Sequence, residues 1–242
     1  MTTALQEFQA VMSQFKHLLK VDMEMGLDPP FLSSGTLEYL NKAPKKGISP
    51  SSMDELKRVL TDCNRCQRGR YRTNLVFGEG PSHARLVFAA YEPSDEDDRA
   101  GKPYMGEAGN LLTRIIENGM GLSRDTVYVC HIMKCRFPGE QAFNPDETET
   151  CIPFFKQQLR IIQPDVICVL GQRASRGLLG RDFVLSQNRG RWHSFMGIPV
   201  MPTFSPTTIL DNPSKERELK GLVWKDIQMI MTRLGLEARH DA

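Results

Sequence analysis

Cys63 and Cys66 form a C-x-x-C pair, Cys135 stands in the run Met133-Lys134-Cys135-Arg136, and Cys151 follows in the next helical stretch. Four thiolates are the donor set of a [4Fe–4S] cluster or of a tetrahedral zinc ion. From the spacing alone both stay open. A thioredoxin-like redox pair is disfavoured, because such a pair opens a helix straight after a strand. Cys63 and Cys66 instead precede the first strand-like run. Cys130 and Cys168 sit inside apolar runs and read as inert core thiols. A metal on the other four would staple the start of the folded domain to one of its internal loops.

The elements around these cysteines read as an α/β domain. Leu86-Val87-Phe88-Ala89-Ala90, Val127-Tyr128-Val129-Cys130, Val166-Ile167-Cys168-Val169-Leu170 and Ile198-Pro199-Val200-Met201 are short continuous apolar runs. Such runs suit parallel strands buried on both faces. Helical patterns fall over 107–118, 148–163, 172–179 and 216–234. The expected fold is a three-layer α/β/α domain with a four-stranded parallel sheet and right-handed crossovers. In such sheets chemistry gathers beyond the strand C-termini. Those positions here are Tyr91 to Ser94, His131 to Arg136, Gly171-Gln172 and Thr203 to Pro206.

Upstream, residues 4–20 carry a helical apolar pattern, and residues 26–51 are rich in Gly, Pro and Ser. A further helix is expected from near Ser52 to the cysteine pair. The domain expectation is therefore a helical extension and linker over 1–50 and an α/β domain over 51–240.

The 242 residues suffice for a core without disulfides. Hydrophobic residues make up 40% and charged residues 25%, as in ordinary globular proteins. No run approaches the length of a membrane span. The start Met1-Thr2-Thr3-Ala4 lacks a basic region followed by an apolar one, so a cytoplasmic location is expected. There, thiols serve more often as ligands than as disulfides. The net charge of +2 does not by itself indicate nucleic acid. Lys57, Arg58, Arg65, Arg68, Arg70 and Arg72 do crowd the first cysteine pair. That cluster suits phosphate contact and a solvated face equally.

Several strings in order resemble the uracil-DNA glycosylase superfamily, and most of all its iron–sulfur group, family 4. They are Cys63/Cys66, Val76 to Pro81, Gly101-Lys102-Pro103-Tyr104-Met105-Gly106-Glu107-Ala108-Gly109, Lys134-Cys135-Arg136 and Cys151-Ile152-Pro153-Phe154. Leu170-Gly171, Arg189-Gly190-Arg191-Trp192 with Gly197 to Thr203, and Leu210-Asp211-Asn212-Pro213 continue the series. The resemblance implies a [4Fe–4S] cluster on Cys63, Cys66, Cys135 and Cys151, structural rather than catalytic, and a pocket for a base flipped out of DNA. It implies that Tyr104 stacks on that base and that Ile209 and Leu210 wedge into the DNA stack. Lys134 and Arg136, beside the cluster ligand, suit phosphate contact. Residue type alone would make Tyr104, Ile209 and Leu210 core residues, and the two cations surface charge.

The departures from the family pattern fall in the site. Tyr91 stands where family 4 has a glutamate, in the base pocket. Glu92, one residue on, matches the water-activating aspartate of the best-known uracil-excising family, so it is the candidate general base. As a bland alternative it is one more loop acid beside Asp95, Glu96, Asp97 and Asp98. His131 replaces the asparagine whose amide reads uracil. An imidazole has one donor and one acceptor, but they point in opposite directions and cannot copy an amide. Ser205 replaces the histidine that stabilises the leaving base, and otherwise reads as a turn residue before Pro206. A hydroxyl is a weaker stabiliser, and one lost donor costs about 10²–10³ in rate. No lysine is placed for a Schiff base. Two functions follow: a monofunctional DNA glycosylase with altered base choice, or a catalytically silent iron–sulfur module that binds DNA or a partner on the same fold. A generic nucleotide-binding protein is weaker, since no P-loop or G-x-G-x-x-G follows the first strand.

Overall fold

The computed structural model describes residues 51–137, 139 and 145–236. The N-terminal extension expected over 1–50 lies outside the described residues. Helix α1 (Met53–Thr61) starts where Ser52 caps it, with Ser52 Oγ accepting from the Glu55 amide. The C-x-x-C loop follows and leads into one short turn of helix, α2 (Arg68–Tyr71).

The apolar runs form strands β1 (Leu86–Ala90), β2 (Tyr128–His131), β3 (Val166–Leu170) and β5 (Ile198–Thr203). Every residue of β1, β2 and β3 is buried, as strands covered on both faces require. Between them lie α3 (Asp95–Ala100), α4 (Gly106–Arg114), which runs into a wider π turn, α5 (Pro145–Ile162), α6 (Gln172–Leu179) and α7 (Leu185–Asn188). After β5 come α8 (Pro206–Leu210) and α9 (Glu216–Leu234). One core packs Val87, Ala89 and Ile167 against Leu56 and Leu60 of α1 and Phe155 and Leu159 of α5. The other packs Leu86, Phe88 and Cys168 against Leu112 of α4, Ile209 of α8 and Ile227 and Ile230 of α9. Alternate strand residues thus feed opposite layers, and the three-layer expectation holds.

The sheet has five strands, not four, in the order β2-β1-β3-β5-β4. The extra strand, β4 (His193–Phe195), pairs antiparallel with β5 through Ser194↔Pro199 and Phe195↔Ile198. Met196 and Gly197 join them, at φ 55° and 80°. Two successive left-handed residues are the geometry of a tight hairpin turn. At the opposite edge Glu79 and Val129 exchange both backbone hydrogen bonds, at 2.9 and 2.8 Å.

Register places the site. Ala90 pairs with His131 and Leu170 with Thr203, so the strand C-termini end level with one another. The second strand also starts one residue later than expected and includes His131.

Candidate active site and thiol centre

Beyond those strand ends lies a cleft of about 800 Å³. Its walls include Tyr91, Glu92, Asp97, Tyr104, His131, Arg136, Arg173 and Ser205. Six of the expected site residues therefore converge on one cavity.

Glu92 is held by two cations. Arg68 Nη1 donates to its Oε2, and Arg173 Nη1 donates to its Oε1. The carboxylate remains about one-fifth exposed. Arg68 is fully buried and also donates from Nε to Glu147 Oε2 at 2.7 Å. Arg173 reaches Glu92 from the first turn of α6, with its guanidinium 4.5 Å from the centre of the Tyr91 ring. Tyr91 itself turns into the core, and its hydroxyl lies 2.9 Å from Thr148 Oγ1. Arg173 was not a site candidate from the sequence, and Arg68 stood there only as one of a basic cluster suited to phosphate or solvent.

His131 is buried, and its Nε2 faces Asp97 Oδ2 at 3.4 Å. Nδ1 has no hydrogen-bond partner among the described residues. Burial holds the imidazole pKa down, to about 4, against the pull of Asp97 and with help from the Lys134 charge. The ring is therefore neutral at physiological pH. Asp97 also ties down the neighbouring backbone. Its Oδ1 accepts from the Met105 amide at 2.6 Å, and its Oδ2 from the Ser94 amide. Ser94 caps α3 in return. Together these bonds fix the loop that carries Tyr104.

Tyr104 lies flat against His131, with ring centres 5.7 Å apart and planes 6° apart. Its φ of 57° is left-handed, a conformation that costs a non-glycine residue roughly 1–3 kcal/mol and tends to mark functional sites. Gly109 makes room for it, since a Cβ there would stand 1.7 Å from the Tyr104 carbonyl oxygen. Ser205 is the N-cap of α8: its Oγ accepts from the Thr208 amide at 3.1 Å and lies 2.8 Å from Thr208 Oγ1.

Two expected DNA contacts, Ile209 and Lys134, are buried. Ile209 has no exposed surface and packs in the core, so its side chain is not available as a surface wedge; Leu210 is half-buried beside it. Lys134 is fully buried as well. Its Nζ donates to the His131 carbonyl and stands 5.7 Å from the Phe155 ring, so it braces the end of β2 instead of reaching solvent. Arg136 does line the cleft, ion-paired with Asp95.

The four cysteines come from three segments: the loop between α1 and α2, the loop after β2, and α5. Cys135 and Cys151 are buried, Cys63 and Cys66 partly so. Burial pushes the Cys151 thiol up to about 12, with Cys135 and Cys66 adding to the rise. Burial raises the Cys135 thiol too, and Cys66 and Cys63 contribute. The thiols are thus near enough to resist one another's ionisation. Arg72 Nη1 donates to Cys135 Sγ at 3.2 Å, the kind of contact that stabilises a ligating sulfur. Among the described residues, no three His, Cys, Asp or Glu side chains are grouped tightly enough for a single metal ion. An all-thiol donor set with a guanidinium on one sulfur has the donor chemistry of an iron–sulfur site. Cys130 and Cys168 are fully buried, as expected.

A mainly parallel α/β sheet with a cleft at its strand C-termini and four thiols on flanking segments defines the class. Residues 77–228 match the Uracil DNA glycosylase superfamily, and the chain belongs to that family. It is 36% identical over 181 residues to the type-4 uracil-DNA glycosylase of Thermotoga maritima, covering 72% of this chain and 93% of that one. The type-4 enzyme of Sulfurisphaera tokodaii is 33% identical, with 70% and 80% covered. That of Archaeoglobus fulgidus is 32% identical, with 70% and 89% covered. No helix among the described residues is long and apolar enough to cross a membrane.

Proposed function

We propose that this protein is a monofunctional DNA glycosylase that hydrolyses the N-glycosidic bond of uracil or a related modified base. The observation that carries the reading is the convergence of Glu92, Tyr104, His131 and Ser205 on one cleft, in a chain whose relatives are type-4 uracil-DNA glycosylases. The base enters the cleft after leaving the duplex stack and meets the Tyr104–His131 pair. With Nε2 protonated toward Asp97, neutral His131 keeps Nδ1 as an acceptor. An acceptor suits the N3–H of uracil and rejects cytosine, whose N3 is itself an acceptor. Glu92 orients the attacking water with its remaining lone pairs, and its charge stabilises the cationic sugar as the base departs. If Thr208 donates to Ser205 Oγ, the Ser205 proton is free to point at the departing base. Arg136 at the cleft rim is the candidate phosphate contact.

Cys63, Cys66, Cys135 and Cys151 would hold a [4Fe–4S] cluster. Bound there, the cluster cross-links three segments of chain, and base hydrolysis draws no electron from it.

The test is release of free base from uracil-containing oligonucleotides by anaerobically purified protein. Glu92→Gln is expected to slow release about 10²–10⁴-fold. Undiminished release by this variant would remove Glu92 from the mechanism. A second reading, a binding module without catalysis, is favoured by one observation: both Glu92 oxygens and the Ser205 hydroxyl already have protein partners. Tight binding to one modified base with no release from any substrate would establish it.

A further inference from the structure

We infer that Arg68 is a positioning residue that fastens the Glu92 carboxylate to the cysteine-bearing segments, so that an intact thiol centre governs the chemical step more than DNA affinity. The inference rests on the reading of Glu92 given above. Arg68 lies just beyond Cys66, and the C-x-x-C loop sets its backbone position. The Gly69 amide donates to the Cys66 carbonyl at 3.3 Å. A Cβ on Gly69 would stand 2.4 Å from the Cys63 carbonyl oxygen, so only glycine lets α2 sit this close.

The side chain is enclosed by the other two segments. Its guanidinium is 5.8 Å from the ring centre of Phe137, which follows Cys135 closely in the chain. Its Nε donates at 2.7 Å to Glu147, one helical turn before Cys151 on α5. From this fully buried socket Nη1 reaches Glu92. All three cysteine-bearing segments therefore contribute to one arginine, and that arginine holds one oxygen of the site carboxylate. Arg173 holds the other oxygen from α6, which carries none of the cysteines. Spreading of the three segments would release Glu92 on one side and leave it to swing with Arg173. Removing one partner of a buried guanidinium is costly, so Glu147 and Glu92 support the Arg68 socket together.

Full-length Arg68→Lys, Arg68→Met, Glu92→Gln and the Arg68→Lys/Glu92→Gln double variant would be purified anaerobically. Four quantities are read: iron per chain, affinity for uracil-containing duplex, single-turnover base release, and iron retained at equilibrium with a fixed chelator concentration. Arg68→Lys is expected to keep its iron and its DNA affinity while releasing base about 10²-fold more slowly, the effect of an ångström-scale misplacement. Arg68→Met should be slower still, so that lysine rescues part of the rate. The double variant should be no slower than Glu92→Gln alone. Because Glu92 is one of the two carboxylates that hold Arg68 among the cysteine-bearing segments, Glu92→Gln should retain less iron than the wild type. A wild-type rate in iron-replete Arg68→Lys, or independent losses in the double variant, would overturn the inference. Should Arg68→Met fail to fold, the lysine variant and iron retention decide. If Glu92→Gln excises at full rate, the catalytic reading of Glu92 is lost, and iron retention alone then tests the link: lowered retention supports it and unchanged retention sinks it.

Discussion

Replacing Ile209 by alanine removes three carbon atoms from a side chain with no solvent exposure. At about 0.8 kcal/mol per buried carbon the transfer loss is about 2.4 kcal/mol. The surroundings are the packed layer of α4, α9 and the strands, which relaxes only in part, so the residual cavity adds to this. A total of about 3–4 kcal/mol is expected, within the range measured for Ile→Ala in cores. At about 2–4 °C per kcal/mol for a domain of this size, the melting temperature should fall by roughly 6–16 °C. Urea unfolding followed by far-UV circular dichroism measures the free energy, and single-turnover base release at a permissive temperature measures function. The position of Ile209 predicts a large stability loss with near-normal activity on the folded fraction. A wedge that enters the DNA stack predicts the opposite. An unchanged urea midpoint together with lost activity on duplex, but not on single strands, would refute the core placement.

Two further predictions concern the site and the thiol loop. His131 has a folded-state pKa of about 4, below its ordinary value of 6.5, because burial disfavours the imidazolium. The unfolded chain therefore takes up this proton first, and stability falls as pH drops from about 6.5 toward 4, by up to roughly 3 kcal/mol; His131→Asn should flatten that part of a urea-midpoint profile, and an unchanged slope would deny His131 this role. Gly69→Ala places a Cβ against the Cys63 carbonyl and should lower iron per chain on anaerobic purification, with full iron loading counting against the tight packing of that loop.

The sheet was legible because a strand buried on both faces must be apolar throughout, and Leu86–Ala90 and Val166–Leu170 show this without interruption. β4 carried no such signal: it has three residues, two of them polar, and exists because Met196-Gly197 turns the chain back onto β5. The positions of Glu92, His131 and Ser205 at strand ends were equally readable, since topology puts those ends together. Their partners were not. Arg68 meets Glu147 across 79 residues of sequence and Glu92 across 24, and in a run of basic residues nothing marks it as the buried one. Lys134 misled for the same reason. A lysine beside a cysteine looks solvent-facing until a carbonyl and an aromatic ring are found around it.

The paired amides of Glu79 and Val129 along the outer side of β2 have a meaning beyond that one contact. An open sheet has two edges, and each is a template on which another chain can grow. One edge here is covered by a two-way backbone bond from a charged residue. The other ends in a three-residue strand too short to recruit a neighbour. The described edges of this sheet thus give stray strands little to pair with.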